Sequence, residues 1–117
     1  MKVIVAGGRT FSDYNLLCTH LDHLLSNYDK ENIEIVSGTA QGADKLGERY
    51  AIERNIPMIR FPADWDTHGR SAGYIRNSQM ADYADACIVF WDGESKGSKH
   101  MIDLATKKKL QCRVVNY

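Results

Sequence analysis

The sequence predicts one α/β domain over residues 1–117, a doubly wound parallel sheet of about five strands flanked by helices. Three observations lead there. Short apolar runs alternate with helical stretches, and strands joined by helical crossovers pair in parallel with right-handed connections. Two of those runs pass directly into glycine-bearing loops that open helices: Val3-Ile4-Val5-Ala6 into Gly7-Gly8-Arg9-Thr10, and Ile33-Glu34-Ile35-Val36 into Ser37-Gly38-Thr39-Ala40-Gln41-Gly42-Ala43-Asp44. Finally, 117 residues suffice for one core and are too few for two.

The elements follow in order. After the first loop, Ser12 is placed to N-cap a helix whose apolar stripe is Leu17, Leu21, Leu24 and Tyr28. After the second loop, a helix from Ala43 to Arg54 carries Leu46 and Tyr50, with small Ala43, Gly47 and Ala51 permitting close packing on a sheet. Asn55 suits its C-cap and Pro57 stops it. Met58-Ile59-Arg60-Phe61 reads as a third strand ended by Pro62. A loop from Ala63 to Arg70 precedes a helix from Ser71 to Tyr83. Ala86 to Trp91 is the most apolar segment and reads as a central strand buried on both faces. Asp92 to Gly97 is a polar turn, Ser98 to Lys108 a last helix, and Cys112 to Val115 the closing strand.

Composition excludes several classes. Formal net charge is zero, which argues against a general nucleic-acid binder held by phosphate neutralisation. No apolar run approaches roughly 18 residues, so no transmembrane helix is expected. The N-terminus enters a strand at once with no visible cleavable signal, which favours the cytoplasm. Cys18, Cys87 and Cys112 lack CxxC spacing and read as reduced thiols of a cytosolic protein. His20, His23, His68 and His100 have no ligand partner at a recognised spacing, so neither a metal site nor a cofactor is expected.

In a doubly wound fold the ligand sits at the carboxyl ends of the strands, and every unusual loop here follows such an end. Glycine turns and helix starts expose backbone N–H groups that favour a phosphate or carboxylate. Neither GxGxxG nor a Walker loop is present, and Arg9 stands where a response regulator would need acidic residues. The candidate binding residues are Gly7, Gly8, Arg9, Ser37, Gly38, Thr39, Gln41, Gly42, Asp44, Arg70, Arg76, Asn77, Asp92, Gly97 and Ser98. Arg9 could fork onto a phosphate or make a surface ion pair. Ser37 and Thr39 could donate to phosphate or cap the second helix. Asp44 could hold a ribose hydroxyl or answer the helix dipole. Trp65 and Trp91 could stack on a base or close over the core.

Gly7-Gly8-Arg9-Thr10-Phe11, the SGTAQGAD segment from Ser37 to Asp44, Gly73-Tyr74-Ile75-Arg76-Asn77 and Gly97-Ser98-Lys99 together resemble the YspA-like branch of the SLOG superfamily. That superfamily is similar to Rossmann folds and includes the DNA-processing protein DprA and the LOG phosphoribohydrolases. The resemblance covers nearly the whole chain and implies a Rossmann-like domain binding nucleotides or derivatives such as ADP-ribose, NAD or AMP. In the LOG motif PGGxGTxxE the glutamate assists glycosidic cleavage. Here the Gly97-Ser98 turn survives, but Met101 takes the glutamate's place, with Asp44 or Asp92 as candidate catalytic substitutes from other loops.

The expected function is therefore a sensor or sequestering module for a phosphorylated nucleoside or nucleotide derivative. The alternative is a LOG-like hydrolase of an N-glycosidic or pyrophosphate bond, so enzymatic activity stays open. The expected partner is that small molecule, with no membrane. DprA-like binding of single-stranded DNA is disfavoured by zero net charge and few solvent-facing aromatics. The resemblance leaves open a homodimer, to which Tyr74, Met80 and Tyr83 would offer apolar surface.

Overall fold

The computed structural model describes all of residues 1–117. In chain order the elements are β1 (Lys2–Gly7), α1 (Tyr14–Leu24), β2 (Glu34–Ser37), α2 (Ala43–Arg54), β3 (Met58–Arg60), α3 (Trp65–His68), α4 (Ala72–Tyr83), β4 (Ala86–Trp91), α5 (Lys96–Lys107) and β5 (Gln111–Asn116). The strands form one parallel sheet in the order β3-β2-β1-β4-β5, with Ile4 opposite Val36 on one side and Cys87 on the other. This is the Rossmann-like α/β architecture expected. None of the helices is long and apolar enough to cross a membrane.

Alternation along the strands builds two cores. Val3, Val5, Ile35, Ile88 and Phe90 face α1 and α2, where they meet Leu17, Leu21, Tyr50 and Ala51. Ile4, Ala6, Val36, Cys87 and Val89 face α4 and α5, where they meet Met80, Ala81, Met101 and Ala105. Both faces of β1 and β4 are thus buried, which is why these strands read as continuous apolar runs. Helix α2 lies so close on the sheet that a Cβ at Gly47 would stand 2.7 Å from the Val5 Cβ. Asn55 ends it in the left-handed conformation.

Several element boundaries differ from expectation. Asp13, not Ser12, caps α1: its carboxylate accepts the Leu16 N–H at 3.0 Å. Helix α1 stops at Leu24, so Leu25 enters the core while Tyr28 lies beyond the helix, exposed. The segment after Pro62 is not all loop: Asp64 caps a helical turn over Trp65–His68, followed by a 3-10 turn at Gly69–Ser71. Helix α5 starts at Lys96 rather than Ser98, so Gly97 and Ser98 belong to its first turn. Of the apolar surface assigned to α4, Met80 is buried in the core and Tyr83 packs on Phe61 under Lys2, leaving only Tyr74 exposed.

After β3 the chain crosses to the far side of β1 to make β4. The loops leaving β1 and β4 therefore diverge, and a crevice opens between them at the carboxyl ends of the strands.

Candidate functional site

That crevice has a volume of about 450 Å³. Its walls bring together Gly7, Gly8, Arg9 and Thr10 after β1, Ala40 and Asp44 after β2, Trp65, and Arg70, Gly73, Tyr74, Arg76 and Asn77 at the start of α4. Asp92, Ser95, Gly97 and Ser98 close the β4 side, over Ala6, Met80 and Met101. Ten of the residues expected from sequence thus share one cavity: Gly7, Gly8, Arg9, Asp44, Arg70, Arg76, Asn77, Asp92, Gly97 and Ser98.

Ser37, Gly38, Thr39, Gln41 and Gly42 do not line it. Ser37 is fully buried beneath the loop; its hydroxyl donates to the Glu48 carboxylate at 2.6 Å and accepts the Thr39 N–H at 3.1 Å. The Gly38 carbonyl accepts from the Arg76 guanidinium. Gly42 packs against the Gly8 and Arg9 backbone, and Gln41 points to solvent. The second glycine loop is a prop for the first rather than a wall of the cavity. Under it, Arg60 Nε reaches Glu48 at 3.0 Å. Burial pushes the Glu48 carboxyl upward, but the hydrogen bonds from Ser37 and Arg60 outweigh it and hold the group below the usual carboxylate value.

The first loop also spends part of its backbone internally. Gly8 N–H donates to the Phe90 carbonyl at 3.0 Å, and the Gly8 carbonyl accepts from Phe11 at 3.2 Å and Ala43 at 3.3 Å. The N–H groups of Arg9 and Thr10 carry no internal partner. Across the cavity, Arg76 Nε donates to the Asn77 side-chain oxygen at 3.0 Å, and Asn77 Nδ2 lies 3.3 Å from His100 Nδ1. Asp44 accepts the Ala40 N–H at 3.2 Å; burial pushes its carboxyl up to about 6, against the pull of that bond and of Arg76. Arg76 in turn is drawn below its ordinary value, chiefly by burial.

On the β4 side the turn is held by its own side chains. Asp92 accepts the N–H groups of Glu94 and Ser95, both at 2.9 Å, and these bonds lower its pKa. Ser95 caps α5 through the Ser98 N–H. The Asp92 carboxylate is thus committed to the turn before α5, and within the helix start the cap takes the Ser98 N–H while those of Lys96 and Gly97 have no partner. Met101 is buried in the floor, and the Ser98 hydroxyl beside it is buried with no hydrogen-bond partner.

Two further side chains enter the site. Trp65 and Tyr74 are 51% and 45% exposed, and both flank the cavity. Tyr74 meets the edge of His100 with ring centroids 4.6 Å apart. A signal for Tyr74 existed: Arg70, Gly73, Tyr74 and Asn77 stand at helical i, i+3, i+4, i+7 spacing. Trp65 was open from sequence between stacking on a base and closing over the core; it stands on the cavity wall, half exposed.

This fold and crevice define a Rossmann-like domain of SLOG type. The chain belongs to the YspA, cpYpsA-related SLOG family, whose sequence profile matches residues 1–68. It is similar to the Gene 61 protein of Mycobacterium phage D29, 30% identical over 122 residues that cover 99% of this chain and 95% of that protein. Among solved structures it resembles DNA processing protein A from Helicobacter pylori, described for its single-stranded DNA binding mode, with a TM-score of 0.71 and 21% identity. The match covers 97% of this chain and 64% of that one, so the chain spans under two thirds of the structural relative; at that identity the likeness establishes the fold.

The comparisons correct two expectations. A small nucleotide derivative as ligand, whether sensed or hydrolysed, finds no support: the structural relative is a binder of single-stranded DNA, and the phage protein's name assigns no activity. The argument against a nucleic-acid partner also falls. Zero net charge averages over a chain that gathers Arg9, Arg70 and Arg76 around one cavity, and the solvent-facing aromatics thought scarce stand beside them.

Proposed function

We propose that this protein binds single-stranded DNA across the strand-end crevice, with residues 1–117 acting as one binding unit. The observation that carries this reading is the pairing of two half-exposed aromatic rings, Trp65 and Tyr74, with three arginines on the walls of one cavity. Stacking platforms beside a positive groove are what a single strand needs, because its bases present free faces and its backbone needs counter-charge. A duplex keeps its base faces inside the helix and cannot offer them to Trp65 or Tyr74. Arg9, with its own free N–H and that of Thr10, meets one phosphate; Arg70 meets the next. Arg76, already fixed by Gly38 and Asn77, presents its remaining donors from a set position. Such DNA is met in the cytoplasm, the compartment that unpaired cysteines suit.

The test is fluorescence anisotropy of a labelled oligothymidylate, set against a duplex of equal length. The single strand binds more tightly, and Trp65→Ala or Arg70→Ala each weakens it at least about fivefold, since one base stack is worth roughly 1–3 kcal/mol. Equal binding of duplex and single strand, or full affinity in both variants, would exclude this reading.

A further inference from the structure

Tyr74 is a wall of two cavities. On its other side lies an open hollow of about 490 Å³, lined by Trp91, Gly93, Glu94, Lys96, Lys99, His100 and Asp103. The two hollows share that ring, the first turn of α5 lines both, and the Asn77–His100 contact joins a residue of one to a residue of the other. The second hollow has the same ingredients as the first. Its aromatic surface is the half-buried Trp91 indole, fixed by its N–H on the Ser95 carbonyl at 3.1 Å, together with the Tyr74–His100 pair. Its cations are Lys96 and Lys99 in the first turn of α5, where a helix dipole disfavours positive charge and acidic residues are absent. Lys99 is answered by Asp103 at 2.8 Å; Lys96 has no ion-pair partner. Residues that break a local rule are expected at functional or strained sites.

We propose that this hollow is a second nucleotide subsite, which takes the base next along the strand on Trp91 and the Tyr74–His100 pair and its phosphate on Lys96. This rests on the single-stranded DNA reading above and extends it: the strand runs over Tyr74, and the unit bound is at least two nucleotides. Glu94, also unpaired on the rim, opposes the phosphate and limits the gain.

The experiment measures affinity for oligothymidylates of increasing length, in the wild type and in Lys96→Glu and Glu94→Gln, both at exposed positions. The wild type gains about tenfold on reaching the second subsite, the equivalent of one base stack. Lys96→Glu loses that step and Glu94→Gln enlarges it, while the shortest strand that binds does so equally in all three. Single 2-aminopurine substitutions in the longer strand report quenching at two adjacent positions, independently of either variant. A step that survives Lys96→Glu, a loss equal at every length, or quenching at one position alone overturns the second subsite and leaves the first standing. No binding by the wild type at any length removes the DNA reading itself, and this extension with it.

Discussion

At Gly42 the backbone takes φ +80°, and a side chain would begin 2.2 Å from the Gly8 carbonyl oxygen. Gly42→Val therefore acts on the fold, forcing both an unfavourable dihedral and a shift of the Arg9 loop. We expect a loss of about 3 kcal/mol in urea unfolding, with weakened DNA binding as a consequence. From sequence this glycine had the look of a contact point for a ligand; only the packing of one loop on another shows whom it serves. Asp44 gives a prediction in pH. Its folded pKa, about 6, lies above the ordinary 3.8, so between those values the folded chain holds a proton that the unfolded chain has released. Stability accordingly falls as pH rises from about 4 to 6, by at most about 3 kcal/mol, and this slope disappears in Asp44→Asn. Protonation also removes a negative charge from the cavity wall. Oligothymidylate should bind several-fold more tightly at about pH 5.5 than at about pH 7.5 in the wild type, and without that difference in Asp44→Asn. A flat profile in the wild type would place Asp44 outside the phosphate's field.

Among the elements, α1 offers a direct comparison of pattern with geometry. Ser12 and Asp13 are both good capping residues, and sequence alone does not choose between them. The carboxylate of Asp13 reaches Leu16 N–H, so Asp13→Ala should lower the thermal unfolding free energy by about 1 kcal/mol and Ser12→Ala leave it within error. The reverse result would return the cap to Ser12. Most of the sheet and helices were legible because periodicity is strong where a strand or helix buries a face: β1, β4 and the span of α2 follow from residue type alone. Less legible was the stretch from Asp64 to Ser71, where two short helical turns bury nothing and carry no period. That stretch brings Trp65 and Arg70 to the cavity; both were candidates from sequence, but their meeting on one wall was not readable from it. Likewise, nothing in Ser37-Gly38-Thr39 signals that the Ser37 hydroxyl is committed to Glu48, eleven residues away in sequence but adjacent in the fold.

For the molecule as a whole, the proposed DNA binding should respond to salt through the cations of the crevice, since net charge is zero. For a strand confined to the first crevice, with three arginines meeting phosphates, the logarithm of affinity should fall against the logarithm of salt concentration with a slope of about −2, and Arg70→Ala should flatten it by about 0.7. A much steeper slope would mean that binding uses the wider surface, not the crevice. Site composition was legible in the clustering of loops at one end of the sheet; ligand class was not, because the same arginines, N–H groups and glycine turns serve a free nucleotide and a strand alike. The crevice has one more property, which lies in where its walls come from along the chain. The profile by which the family is recognised ends at residue 68, and so includes the Arg9 loop, Asp44 and Trp65 but not Arg70, Tyr74, Arg76, Asn77, Asp92 or Ser98. A match to that profile therefore speaks for one side of the crevice only, and Arg70, Tyr74 and Arg76 have to be compared separately before a ligand is carried from one such protein to another.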